Sequence, residues 1–584
     1  YDILRRTPRG TSRSATQMKK QYKVPNHKKT EHIYTVVEDV GEYLDVLAVH
    51  GDRVMFAWKH DDIPSEMKYS EFHDLTVSFA LGLKEKLTEN GQKVAIIGET
   101  SPFWVAAYLA VIASGNVAVP MDKELDPEEM AKFFAAADVC AVVYSNTFAK
   151  IIPEITSGSE KVKLLIPMHG SGYEADERIV SYDNIVASGK KSTRFFTPDS
   201  DNERMAEILF TSGTTGSSKM VMLSQKNVFS VVSSACATVD FNADDVLVSC
   251  LPLHHTYELA CTLAACDFGA KICINDSLRH VLKNFKEYRP TGLVLVPMFI
   301  STMYKKILSE AKRSGKDKIL PPAARIARYL KLCGIDMSDK LFSDVKEAFG
   351  GRLEKIISGG AELPTDMIAV FEAFGISIYE GYGITECSPL VAVTPYYKRK
   401  VGSVGPHVPC CTVRIAGSDV GESGYVTGEI QVQGDNVMLG YMDPVANEEA
   451  FTSDGWFRTG DIGYMDEDGY IYITGRMKSV IVLENGKNVF PEEIEEYLGK
   501  IDYIAESVVI GRQDGDCVRL TALIFPNYAK YPEMSENDLR TEIQKQITAL
   551  NKRLPSFKQI HKLEFRKVEF EKTSSKKIKR HLLK

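Results

Sequence analysis

Residues 207–224 read Glu-Ile-Leu-Phe-Thr-Ser-Gly-Thr-Thr-Gly-Ser-Ser-Lys-Met-Val-Met-Leu-Ser. Two short apolar runs, Ala206–Phe210 and Met220–Leu223, flank a stretch of hydroxyls and glycines that closes on Lys219. Gly213 and Gly216 let the backbone take positive φ and come close to a ligand. The hydroxyls of Thr211, Ser212, Thr214 and Thr215, with the N–H groups between them, can donate to phosphate oxygens, and Lys219 supplies a counter-charge. The pattern predicts strand–loop–strand around a polyphosphate. A Walker A loop is excluded, because the spacing from Gly213 fails, no Gly-Lys-Ser/Thr closes the run, and a P-loop leads directly into a helix. By composition alone the stretch also reads as an ordinary Ser/Thr/Gly surface hairpin.

Outward from this loop the chain alternates strand and helix. Val94–Ile97, Val117–Val119 and Val139–Tyr144 read as strands, Phe103–Ala113 as a buried helix, and Asp126-Pro127 as an N-cap and first helical position. The same alternation returns over 226–300, with a helix from Asn227 and strands at Val246–Cys250, Lys271–Ile274 and Leu293–Val296. Such repeats predict two doubly wound, parallel α/β subdomains. Segment 302–350 is helical and charged. From 401 to 475, short strands separated by Gly421, Gly424, Gly428, Gly434, Gly455 and Gly469 suggest a small β-barrel, and a compact α/β unit follows Gly475-Arg476.

At 584 residues the chain exceeds one core, and length alone suggests roughly three to four folding units. A net charge of −7 argues against general nucleic-acid binding. Eleven scattered cysteines, with no Cys-x-x-Cys and no zinc spacing, fit a reducing, cytoplasmic setting, and Cys410-Cys411 reads as packing. Residues 1–31 are basic and lack an apolar core, so they read as a disordered tail in preference to a signal peptide or a membrane-surface contact. The chain opens on Tyr1 without a methionine, which reads as a trimmed amino terminus. No apolar run reaches the ~18–20 residues needed to span a bilayer, so contact with a membrane would be peripheral.

Further motifs carry chemistry. Tyr379-Glu380-Gly381-Tyr382-Gly383-Ile384-Thr385-Glu386 sets two glycines around a ring and places a hydroxyl beside a carboxylate, as a magnesium-bound phosphate requires; it also reads as a tight turn. Ser358-Gly359-Gly360-Ala361-Glu362-Leu363-Pro364 is by itself a Gly-rich turn. Trp456-Phe457-Arg458-Thr459-Gly460-Asp461 offers a carboxylate able to accept two hydrogen bonds side by side. Leu251-Pro252-Leu253-His254-His255 follows a strand, Glu484-Asn485-Gly486-Lys487 is a turn, and Glu571-Lys572-Thr573-Ser574-Ser575-Lys576-Lys577-Ile578 is strongly basic.

Together, in this order, the motifs resemble those of the adenylate-forming superfamily of acyl-CoA synthetases, peptide-synthetase adenylation domains and luciferases, over about residues 32–584. The spacing through 297–358 and the string Gly-Ile-Thr-Glu-Cys-Ser-Pro look like bacterial long-chain fatty-acyl synthetases. The resemblance implies a body over 32–476, built of two doubly wound α/β subdomains and a small β-barrel. A small mobile α/β cap over 477–584 would follow the tail 1–31. It implies that Thr211–Gly216 and Lys219 hold phosphates, and that Gly359, Gly360, Ala361, Glu380, Gly381, Tyr382 and Gly383 line the ATP/AMP site. Thr385 would meet the α-phosphate, Glu386 would bind Mg²⁺ and Asp461 the ribose hydroxyls. Arg476 would reach ribose or phosphate, Lys478 would be the hinge, and His255 would wall the acyl pocket. Gly486 and Lys487 would border the path of coenzyme A. Lys577 would be the catalytic lysine, favoured over Lys576 by spacing alone, with Glu571 and Lys576 standing where the family has Pro and Gly. Met220 stands where the family usually has Gly. The implied reaction turns a fatty acid and ATP into acyl-AMP and pyrophosphate, then transfers the acyl group to CoA. An acyl carrier protein is the alternative acceptor, and a non-catalytic nucleotide or lipid sensor the remoter reading. Chain length of the acid and oligomeric state are not encoded in any motif.

Overall fold

The computed structural model describes residues 20–25, 31–60, 63–168, 176–194, 196–211, 219–277, 279–315, 318–333, 335–421, 423–483, 488–514, 517–572 and 578–583. Two large sheets organise the body. The first has seven strands in the order Gly440–Tyr441, Lys219–Ser224, Met205–Thr211, Val117–Pro120, Lys93–Ile97, Val139–Tyr144 and Leu164–Pro167. The last five run parallel, and Lys219–Ser224 joins antiparallel to Met205–Thr211. The second has eight strands in the order Leu390–Val393, Ser377–Gly383, Lys355–Ser358, Gly292–Leu295, Val246–Ser249, Lys271–Ile274, Val54–His60 and Ile63–Lys68, parallel except at its two edges.

The alternation of side chains along a strand sets the layers. Val94 and Ile96 face a core shared with Phe56, Leu247, Ile272 and Val294 of the second sheet. Ala95 and Ile97 face the opposite side, with Val117, Val119, Val139 and Val142. Between the sheets lie the helices Pro102–Ala113, Gln225–Thr238 and Thr256–Asp267. The first of these is buried on nearly every face, as its unbroken apolar sequence requires. The outer face of the second sheet is covered by Pro297–Arg313, Leu320–Leu332 and Thr365–Ala373. These are doubly wound α/β layers, as the alternation predicts.

Local chemistry explains the helix starts. Asp126 caps the helix Pro127–Ala136 by accepting from the Glu129 N–H, with Pro127 at its first position. The helix expected from Asn227 begins at Gln225. Ser224 is its cap and Asn227 its third residue, each side chain bonding the other's backbone.

Two expectations are corrected. Residues 401–475 form a four-stranded antiparallel sheet of Cys411–Val420, Val426–Gly434, Phe457–Met465 and Ile471–Arg476. Its outer strands do not pair with each other, so it is open rather than a small β-barrel; Gly-rich hairpins fix the turns, while closure requires the first and last strands to pair as well. The basic tail is not wholly disordered either: Gln21–Pro25 pairs antiparallel with Glu31–Thr35. Lys20 ion-pairs with Asp435, so backbone pairing and a charge contact hold this segment to the body.

Beyond Arg476, the turn Met477–Ser479 leads into a unit with its own core of Ile494, Leu498, Leu520, Ile524, Leu539 and Ile543. The helices Pro491–Gly499 and Glu536–Asn551 pack there against a sheet of Ile504–Asp514, Cys517–Pro526 and Lys562–Phe565. Cys410 and Cys411 are buried and unbridged. Among the described residues no helix is long and apolar enough to cross a membrane.

Candidate active site

The carboxyl ends of parallel strands in an α/β sheet open onto the usual ligand crevice. Lys355–Ser358 and Ser377–Gly383 run side by side, with Ser358 opposite Glu380, so both Gly-rich motifs emerge at one sheet end. Gly359 lies against the Tyr257 ring, where an added Cβ would come within 3.0 Å. Tyr257 is fixed by donating its hydroxyl to the carbonyls of Leu295 and Ile357. Gly360 has φ +85°, a left-handed turn that suits glycine, and leaves Ala361 exposed at the rim. The buried Ser358 hydroxyl has no hydrogen-bond partner among the described residues. A shallow backbone cradle with a spare polar atom fits a flat heteroaromatic ring. Beside it, burial and then the negative charge of Glu362 push the Glu380 carboxyl up to about 8, against a lowering bond from the Gly402 N–H. A carboxyl that keeps its proton near neutrality can both donate and accept at a base edge.

Two residues further along the same strand, Tyr382 is buried and donates its hydroxyl to Asp461 Oδ2 at 2.7 Å. Asp461 is itself buried, and Arg476 Nε lies 2.9 Å from Oδ1. The two residues are opposite each other in neighbouring strands, so the ion pair follows from register. The Asp461 N–H donates to Thr459 Oγ1, which orients the carboxylate's strand. Gly381 borders the Ser358 carbonyl, and Gly383 packs against the Pro389 carbonyl, where a Cβ would stand at 2.2 Å.

Immediately beyond, Thr385 and Glu386 occupy a short turn, both partly exposed. Tyr441 donates its hydroxyl to Glu386 Oε1 at 2.7 Å, and its ring lies 4.4 Å beneath the Lys219 ammonium. Burial and then the Glu386 charge hold the Tyr441 phenol well above its ordinary range, so it remains a donor. The two-residue strand Gly440–Tyr441 pairs with Val221-Met222, which carries Tyr441 to the start of the Lys219–Ser224 strand. Tyr441 thus joins the lysine of the hydroxyl-rich loop to the acidic turn; the motifs did not reveal it. Thr211 closes the other strand, its hydroxyl donating to the Lys219 carbonyl at 3.4 Å. The strand–loop–strand expectation is met at both flanks, while Ser212, Gly213, Thr214, Thr215 and Gly216 lie outside the described residues. Gly486, Lys487 and Lys577 lie outside them as well.

Glu386 offers one carboxylate, next in sequence to Thr385 and held at Oε1 by Tyr441, and no cluster of three or more His, Cys, Asp or Glu exists among the described residues. That donor set fits Mg²⁺, which keeps waters and shares phosphate oxygens with its substrate, and does not fit a zinc cage. His255 sits at the cap position of Thr256–Asp267, its ring 4.1 Å from that of His254. Burial, then the neighbouring His255, lower His254 to about 3; Asp122, 3.6 Å away, pulls the other way without offsetting this. His254 is therefore neutral near pH 7 and poorly suited as a general base. Lys478 lies exposed in the Met477–Ser479 turn, directly after Arg476.

A two-sheet α/β body followed by a small α/β unit is the architecture of the adenylate-forming enzymes. The chain belongs to the AMP-binding enzyme family: the family model matches residues 45–442, and that of the AMP-binding enzyme C-terminal domain matches 478–583. It is 30% identical over 498 residues to "Long-chain-fatty-acid--CoA ligase FadD15" of Mycobacterium bovis, covering 81% of each chain. It is 26% identical over 570 residues to "Long-chain-fatty-acid--[acyl-carrier-protein] ligase AEE15, chloroplastic" of Arabidopsis thaliana, covering 85% of this chain and 78% of that one. The ATP-bound crystal structure of MatB from Rhodopseudomonas palustris shares the fold, with TM-score 0.70 and 24% identity over 92% of this chain and 98% of that one.

Proposed function

We propose that the protein activates a medium- to long-chain fatty acid with ATP and passes the acyl group to coenzyme A. In the first step a carboxylate oxygen attacks the α-phosphorus of ATP, the bond to pyrophosphate breaks, and acyl-AMP forms. In the second, the CoA thiolate attacks the acyl carbon, AMP leaves, and a thioester remains. The observation that carries this reading is one run of chain, Glu380–Glu386, that touches both halves of the site. Tyr382 reaches the Asp461–Arg476 pair, and Glu386 reaches Tyr441 beneath Lys219.

In this reading Gly359–Ala361 and Glu380–Gly383 receive the adenine, and buried Asp461 accepts both ribose hydroxyls while Arg476 balances its charge. Thr211–Gly216 and Lys219 hold the phosphates, and Thr385 meets the α-phosphate. Glu386 would hold Mg²⁺, which when bound offsets phosphate charge. His255 walls the acyl side, and its neutral neighbour His254 leaves the acid as the attacking anion. Lys577, on the C-terminal unit after the boundary at 476/477, places positive charge where the oxyanions develop, and Lys478 marks the turning point. Gly486 and Lys487 border the thiol's path once that unit has turned.

The test is pyrophosphate release from Mg·ATP with acids from acetate to oleate, with CoA, with holo acyl carrier protein, or with neither. Release that depends on a longer acid, with acyl-CoA appearing only when CoA is present, is expected. Transfer to carrier protein alone would replace the acceptor, as the AEE15 relative's name suggests for that protein. Nucleotide binding without acid-dependent release would leave a sensor.

A further inference from the structure

The chain carries a net charge of −7, yet residues 298–333 hold nine lysines and arginines against two acidic residues. Part of this excess lies on the outer helix Leu320–Leu332. Ala324 and Ala327 turn inward onto the core beneath the second sheet. At 3.6 residues per turn, Arg325, Ile326 and Tyr329 fall on the opposite arc and Arg328 on its flank, and all four are exposed. Ile326 is 56% exposed and Tyr329 68%, while Ile319, just before the helix, is 62% exposed beside exposed Lys318. A solvent-facing arc needs no large apolar side chains, and clustered ones mark an interaction surface. Apolar side chains interleaved with arginines suit the boundary between headgroups and acyl chains: isoleucine enters the hydrocarbon, tyrosine sits at headgroup level, and arginine extends to lipid phosphates.

We propose that the outward arc of Leu320–Leu332, with Lys318 and Ile319, docks this protein onto an anionic lipid bilayer. Charge complementarity selects the leaflet, because each basic side chain near an anionic surface adds attraction that salt screens. The apolar pair distinguishes a bilayer from an acidic protein, whose surface would meet the arginines and leave Ile326 and Tyr329 in water. Docking is separate from the chemistry proposed above, since it needs neither nucleotide nor acid.

The experiment is co-sedimentation of the full chain with vesicles of phosphatidylcholine alone, or with phosphatidylglycerol mixed in, without ATP, acid or thiol. Binding is expected only to the anionic vesicles, and added salt should release it. Arg325→Glu/Arg328→Glu should weaken binding by about tenfold or more. Ile326→Ser/Tyr329→Ser should weaken it at unchanged charge. All four positions are exposed, and unaltered circular dichroism and melting checks each fold. Absence of binding to anionic vesicles would overturn the proposal. So would binding that survives both double variants but is lost on removing residues 1–19, which would assign it to the amino-terminal segment. Binding of an acidic carrier protein that depends on Arg325 and Arg328, with no vesicle binding, would overturn it in favour of a protein partner.

Discussion

A Tyr441→Phe substitution would keep the ring beneath Lys219 and remove only the hydroxyl that donates to Glu386. A hydrogen bond to a charged group contributes about 1.5–3 kcal/mol, so the rate of adenylate formation should fall roughly ten- to a hundredfold. The magnesium concentration giving half-maximal rate should rise, because Glu386 loses its orientation. Rates measured across a magnesium series check both effects, and an unchanged magnesium dependence would separate Tyr441 from the acidic turn. Side chains of this kind are where the sequence is least legible. Glu386, Asp461 and Lys219 stand in strings whose chemistry can be read in place. Tyr441 lies 55 positions from its partner, in a two-residue strand with no motif, and its role arises only from sheet pairing.

At the scale of elements, the strand Ser377–Gly383 holds the site because its end packs tightly against the neighbouring chain. In Gly383→Ala the new Cβ would stand 2.2 Å from the Pro389 carbonyl, a backbone atom that cannot swing aside. The strand end must shift, carrying Thr385 and Glu386 with it. An ångström of misplacement costs about a hundredfold in rate, and that loss is expected in pyrophosphate release. Nucleotide titration should show weakened binding as well; wild-type rates would mean that this strand end does not position the phosphates. Elements defined by neighbours in sequence were readable: Asp126-Pro127 announces its helix, and Val139–Tyr144 its strand. The helix at Gln225 begins before Asn227 because the capping box makes that asparagine a third residue. The open four-stranded sheet is not legible in the sequence because turn glycines mark hairpins, whereas closure depends on pairing between strands distant in sequence.

For the whole molecule, buried carboxyls shape stability. Burial pushes Glu207, on a central strand, up to about 8, and Tyr108 donates to it at 3.2 Å. An unfolded glutamate loses its proton near 4.3, so between there and 8 the native chain binds the extra proton and stability falls as pH rises. Each such group contributes a slope of about 1.4 kcal/mol per pH unit in that window. Glu207→Gln should remove one such contribution, leaving melting of the body less pH-dependent from 5 to 8. Melting curves across that range decide it, and an unchanged slope would mean that Glu207 ionises normally. The two-part architecture carries a kinetic prediction as well. Lys577→Ala should slow adenylate formation by about a hundredfold or more while supplied acyl-AMP still reacts with CoA at near the wild-type rate. Equal losses in both half-reactions would remove Lys577 from its proposed part, and Lys576→Ala serves as the neighbouring control.

Arg476 closes the last strand of the four-stranded sheet, pairs with Asp461, and is followed at once by the turn into the C-terminal unit. Its grip on the carboxylate proposed to hold ribose and the dihedral angles that aim the following unit therefore share one stretch of backbone. Linkage is reciprocal: if nucleotide favours one orientation of that unit, that orientation must strengthen nucleotide binding by the same factor. In such a molecule the angle of the C-terminal unit and the residence of AMP are conjugate quantities, and the departure of product is the reverse face of the motion that resets the enzyme.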